Sequence, residues 1–80
     1  MALNWQERIL SDPKIMFGKP VIRGTRIPVE LVLEKLANGE TIEDLLVAYP
    51  RITREDVSSC LFYAQHSVKN DIIYTPEVAA

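Results

Sequence analysis

Four basic side chains share one short stretch that holds no acid. Lys14, Lys19, Arg23 and Arg26 fall between Pro13 and Val29, while the other five Lys and Arg share the rest of the chain with all eleven Asp and Glu. Guanidinium groups are planar, permanently charged and able to give two parallel N–H bonds to one oxyanion, so phosphate is the chemistry they suit. The segment Gly18–Val29 reads GKPVIRGTRIPV. Its apolar runs Pro20-Val21-Ile22 and Ile27-Pro28-Val29 flank Arg23-Gly24-Thr25-Arg26. β-Branched residues favour extended backbone, and a central Gly takes positive φ without steric cost. The pattern predicts a tight β-hairpin with Arg23 and Arg26 at or near its tip, where they bracket a phosphate or enter a minor groove, and with Lys19 beside them. The competing role for Arg23 or Arg26 is an internal salt bridge to an acid such as Glu30.

Other reactive types are too sparse to build a catalytic or metal site. One His (His66) and one Cys (Cys60) cannot supply the usual zinc ligand sets. Cys60 sits in an apolar helical pattern, the place of a reduced buried thiol, with no activating partner in view. His66 is expected at the surface or as a helix cap. Glu43-Asp44 and Glu55-Asp56 are adjacent in sequence, so they point to different helix faces and serve capping and solvation. Three scattered Gly make no phosphate loop. No enzyme, cofactor or metal is expected.

The elements that would position the basic residues follow from periodicity. Trp5 and Ile9, four apart, are expected on one helical turn against the core, and Ser11-Asp12-Pro13 is a turn signal. A first helix is predicted from Pro28 to Asn38, with Val29, Val32, Leu33, Leu36 and Ala37 as its stripe and Gly39 as its stop. Thr41-Ile42-Glu43-Asp44 is a capping-box start, and the short helix it opens ends at Tyr49 before Pro50. Thr53-Arg54-Glu55-Asp56 repeats that start. A third helix is predicted to about Val68 or Lys69, with Val57, Cys60, Leu61, Ala64 and Val68 inward. The tail Asp71–Pro76 is β-favouring and suits an edge strand. The expected division is a helix-turn-helix domain over 1–70 and a tail over 71–80.

The short helix, the Pro-containing turn and the longer helix together read as a helix-turn-helix. In that motif the second helix presents its early residues to base edges. Here those are Arg54, Glu55, Ser58 and Ser59, with Arg51 and Thr53 near a phosphate and Ser58, Ser59 and Gln65 keeping the outer face small or polar. Glu55 and Asp56 are acids where DNA is acidic, and the competing reading is a bundle whose third helix binds protein. Phe62 and Tyr63, with Leu31 and Val47, leave apolar area outside one small core, and Ile72, Ile73 and Tyr74 extend it. Such area marks protein contacts, a second copy or a different partner.

Eighty residues make one small, marginally stable domain. A hydrophobic fraction of 48% excludes disorder by composition for most of the chain. A net charge of −2 argues against non-specific nucleic-acid binding but leaves room for one cationic face. MALNWQER lacks a basic n-region, and the longest apolar run, Leu45–Tyr49, is far short of a membrane span. A soluble, cytoplasmic protein is expected.

Ile9, Asp12-Pro13, Gly18-Lys19-Pro20-Val21-Ile22, Gly24-Thr25-Arg26-Ile27-Pro28-Val29, Leu36-Ala37-Asn38-Gly39, Tyr49-Pro50 and Thr53-Arg54-Glu55-Asp56-Val57 together resemble a widespread prokaryotic family of small proteins built on a domain of unknown function. The likeness runs over about residues 5–68, and GKPVIRGTRIPV is its specific part. It implies a mainly α, three-helix, homeodomain-like helix-turn-helix with a small N-terminal β-hairpin, acting as a VapB-type antitoxin. Such antitoxins pair with a PIN-like nuclease toxin, dimerise and bind operator DNA. Gly24, Thr25 and Arg26 match the family signature. No base-contacting residue carries over, and the tail after Asn70 departs from the pattern. The alternative is a protein–protein interaction module without DNA affinity.

Overall fold

The computed structural model describes residues 3–70. The expected edge strand at 71–76 and the tail as a separate unit lie outside that range, as do Ile72, Ile73 and Tyr74. Within it the chain is mainly helical, with three helices and one small two-stranded antiparallel sheet.

The sheet pairs β1 (Ile9–Leu10) with β2 (Val21–Ile22), Ile9 opposite Ile22 and Leu10 opposite Val21. The expected hairpin is only half of this. Its turn forms: Thr25 N donates to Ile22 O at 3.0 Å, with Gly24 at φ 83°. The Thr25 hydroxyl donates to Ile22 O at 2.7 Å and accepts from Ile27 N at 3.0 Å. The returning limb touches β2 through Ile22 N to Ile27 O and Val29 N to Pro20 O, with a single bridge at Val21–Pro28. Pro20 and Pro28 have no N–H to give, so a regular ladder cannot form there. The opposite edge of β2 is taken by β1. Ile9 is therefore extended, and the expected Trp5–Ile9 helical turn shrinks to a 3₁₀ turn over Trp5–Glu7.

Between β1 and β2 the chain turns at Asp12-Pro13, where Asp12 accepts from Lys14 N through its side chain and from Ile15 N through its carbonyl. It turns again at Met16–Gly18. There Met16 (φ 50°) and Phe17 (φ 58°) are both left-handed, a conformation costing about 1 kcal/mol for each L residue.

Helix α1 (Val29–Ala37) starts on Pro28 and buries Val29 and Val32. Its end is a Schellman closure: Gly39 N donates to Leu36 O and Glu40 N to Lys35 O, with Gly39 at φ 95°. Ala37, expected on the inner stripe, is exposed. Helix α2 (Ile42–Ala48) carries the Thr41–Asp44 capping box, and Leu45 is its buried residue. Helix α3 (Arg54–Asn70) follows the turn 49–53. Its own capping box is formed by Asp56 N on the Thr53 hydroxyl at 3.2 Å and Thr53 N on the Asp56 carboxylate at 2.9 Å.

The core gathers Ile22, Val29, Val32, Leu45, Ile52, Val57 and Cys60, with Ile9, Leu36, Ile42 and Tyr63 packed around them. Helix α3 is rotated from the expected face. Asp56, Val57, Ser59 and Cys60 turn inward, whereas Leu61 and Val68 are 45% and 61% exposed. The N-terminal segment causes this rotation. Arg8 pairs with Asp56 at 3.2 Å, and Trp5 meets Tyr63 edge-on at a ring separation of 5.9 Å. Ser59 tolerates burial because its hydroxyl donates to Glu55 O at 2.8 Å.

Candidate nucleic-acid interface and partner groove

The Arg23–Arg26 turn and the α2–α3 turn are clasped together. Arg51 Nη2 donates to Gly24 O at 3.1 Å, and Arg51 and Arg26 line one shallow hollow with Ile15, Gly24 and Thr25. Arg26 is exposed and has no hydrogen-bond or ion-pair partner among the described residues. Arg23 borders a second hollow with Glu7, Arg8 and Asp56, and its Nε donates to Glu7 O at 2.8 Å. Because Asp56 lies in the first turn of α3, the second hollow adjoins the N-terminal end of that helix, and Arg51 of the first hollow stands three residues before it in sequence.

The remaining basic candidates are engaged with acids. Lys19 pairs with Glu30 at 2.6 Å, taking the acid considered for Arg23 or Arg26. Arg54 pairs with Glu43 of α2, and this guanidinium holds the Glu43 carboxyl below its ordinary value. All four side chains are more than half exposed. Solvent screens such pairs, so they exchange at little cost for a phosphate oxygen. The Thr53 hydroxyl is occupied in capping α3, although the residue is exposed.

The middle of α3 has a different character. Ser59 is fully buried and so is not on the outer face. Ser58 lines an apolar groove with Leu61, Phe62 and Gln65. Phe62 is 46% exposed there, outside the core as expected. Tyr63 is not beside it: the ring is half-buried against Trp5. His66 is exposed, as expected, with its ring centroid 5.4 Å from that of Trp5. Val47 is 81% exposed on α2.

Among the described residues no group of three or more His, Cys, Asp or Glu is placed to hold a metal ion, and no helix is long and apolar enough to cross a membrane. Burial, helped by the Asp56 charge, pushes the Cys60 thiol up to about 12. A neutral, fully buried thiol is a packing group and not a nucleophile. Sequence reasoning missed Arg8, whose partner is 48 positions away. It also missed Leu61 as a surface residue and Phe17, which is 98% exposed. No local pattern signals any of these; each depends on what packs against α3 or on a strained turn.

The chain belongs to the family described as protein of unknown function (DUF433), whose model matches residues 9–64. It is similar to "Uncharacterized protein y4eO" of Sinorhizobium fredii, 38% identical over 60 residues that cover 75% of this chain and 27% of that protein. An "Uncharacterized protein" of Archaeoglobus fulgidus is 67% identical over 24 residues, 30% of this chain and 67% of that one. The crystal structure of a DUF433 member from Anabaena variabilis matches with a TM-score of 0.75 at 33% identity, covering 80% of this chain and 63% of the solved one. The chain thus spans about a quarter of the first relative and under two thirds of the solved chain.

Proposed function

We propose that this chain is a DNA-binding antitoxin that works as a dimer, binds its own operator and neutralises a PIN-like nuclease toxin. In this reading α2, the turn and α3 form a homeodomain-like helix-turn-helix. Arg23, Arg26 and Arg51, with Lys19, Thr53 and Arg54 at the margins, meet the phosphate backbone.

The observation that carries the reading is the Arg51–Gly24 bond. It joins two turns far apart in sequence so that their arginines face solvent together beside the start of α3. Arg26 has no competing partner, and Arg51 uses one of its five N–H groups on the carbonyl, leaving the others for an oxyanion. Release of counterions from DNA supplies the driving force.

Ser58 belongs to the groove more than to a base-reading surface. We assign that groove to a second copy of the chain. Glu55 lies on α3 near its start and Lys69 in its last turn. Two α3 helices packed antiparallel across Phe62 therefore bring Glu55 of each copy towards Lys69 of the other. Toxin contact falls to the tail at Ile72, Ile73 and Tyr74, whose apolar side chains suit a protein contact.

Co-expression with the product of the adjacent gene, followed by purification, tests the antitoxin role. A stable complex, with toxicity of the neighbour alone, is expected. The absence of a complex together with no toxicity of the neighbour alone would contradict the role. The second reading, a protein-interaction module without DNA affinity, is favoured by Leu61 and Phe62 standing where a recognition helix offers polar groups. Salt-dependent binding to the upstream duplex separates the two.

A further inference from the structure

Phe17 is 98% exposed on a turn where three consecutive residues have positive φ: Met16 50°, Phe17 58° and Gly18 83°. Glycine adopts this region freely, whereas the Cβ of Met16 and of Phe17 opposes it. The turn is nonetheless closed, by Gly18 N on Ile15 O at 3.0 Å and Lys19 N on Met16 O at 3.1 Å. An aromatic ring held fully in water on such backbone adds nothing to the isolated domain, for its side chain is outside the core. Outliers of this kind concentrate where the strain serves a site.

The surroundings say which ligand the ring suits. Lys14 and Lys19 flank it in sequence, and no acid occurs between Pro13 and Val29. Ile15, two residues before Phe17, lines the same hollow as Arg26 and Arg51. A protein partner of a single exposed ring needs an apolar collar that excludes water, whereas the segment that carries this ring is cationic, with Lys14 three residues before it and Lys19, paired with Glu30, two after it. Nucleic acid offers a π-face for the ring and phosphates for its cationic surround.

We propose that Phe17 is a base-stacking wedge. When the cationic turns seat on duplex DNA, its ring enters between adjacent base pairs and kinks the duplex. This inference rests on the DNA-binding reading above.

An end-labelled donor–acceptor duplex of about 30 bp, taken from upstream of the gene for this chain, reports affinity and bending together. The wild-type protein is expected to shorten the end-to-end distance. Phe17→Gly is expected to bind about tenfold more weakly, to leave the duplex straight, and to melt at a higher temperature than wild type because the left-handed strain is gone. Phe17→Trp retains the bend. Salt-dependent binding by wild type without a bend, or equal bending by Phe17→Gly, overturns the wedge and leaves DNA binding intact. Loss of a co-purified protein by Phe17→Gly, with bending unchanged, also overturns it. No salt-dependent binding by wild type removes both the wedge and the reading beneath it.

Discussion

Asp56 serves three groups at once. One carboxylate oxygen takes the Thr53 amide and the other takes Arg8, while its own N–H is held by the Thr53 hydroxyl. The carboxylate therefore starts α3 and ties it to the N-terminal segment, although the residue is only 9% exposed. Removing it orphans a helix-cap donor and leaves Arg8 without its partner. Asp56→Ala is expected to lower stability by about 2 kcal/mol in thermal or urea unfolding, against a few tenths for Glu55→Ala on the exposed side. Cys60 gives a pH test with a definite sign. Its thiol is raised from an ordinary 9.0 to about 12 in the fold. Below pH 9 both states hold the proton and stability is unaffected. From there to about 12 the unfolded chain releases the proton and the folded chain does not, so stability falls as pH rises. Each pH unit removes up to about 1.4 kcal/mol, and Cys60→Ala is expected to flatten that alkaline slope. Asp44 has the opposite sense. The Thr41 amide and hydroxyl hold its carboxyl below 3.8, so its contribution is present above that pH and lost as acid protonates it.

At the level of elements, the sequence speaks clearly wherever the determining contacts are local. The Thr41–Asp44 and Thr53–Asp56 boxes, the Gly39 stop and the Gly24 turn each involve residues within a few positions, and each forms as expected. The partner of Val21–Ile22 was not legible in the same way. Two prolines hold the adjacent limb to a single bridge, and the strand paired with the opposite edge starts 12 residues upstream. The face of α3 was misjudged by about one residue for the same reason. Periodicity weighs apolar content, but Arg8 pairs with Asp56 and Trp5 packs on Tyr63, and Leu61 and Val68 are left exposed. The exposed stripe that results carries a prediction of its own. Phe62→Arg is expected to convert a dimer to a folded monomer in sedimentation or light scattering. Glu55→Lys combined with Lys69→Glu is expected to dimerise as wild type does. A wild-type monomer at all concentrations contradicts the assignment of the groove to a second copy.

Over the whole molecule, charge is divided more sharply than the net value of −2 suggests. The basic segment 13–29 turns back on the α2–α3 turn, and Arg26 and Arg51 share one hollow there that no acid lines, while Glu7 and Asp56 border the hollow of Arg23. A protein of net negative charge binds polyanions only where its cations gather, so the salt response of binding reports the geometry directly. Arg26 is the cleanest probe, because it supports no other described residue and its loss leaves the fold alone. The decisive measurement is the affinity of wild type and Arg26→Ala for the upstream duplex across a range of salt concentrations. Log affinity is expected to fall linearly with log salt for wild type, and the slope for Arg26→Ala to be shallower by about 0.9, one phosphate contact, at unchanged melting temperature. Identical slopes for the two proteins, or wild-type binding indifferent to salt, would contradict a phosphate-facing arginine surface.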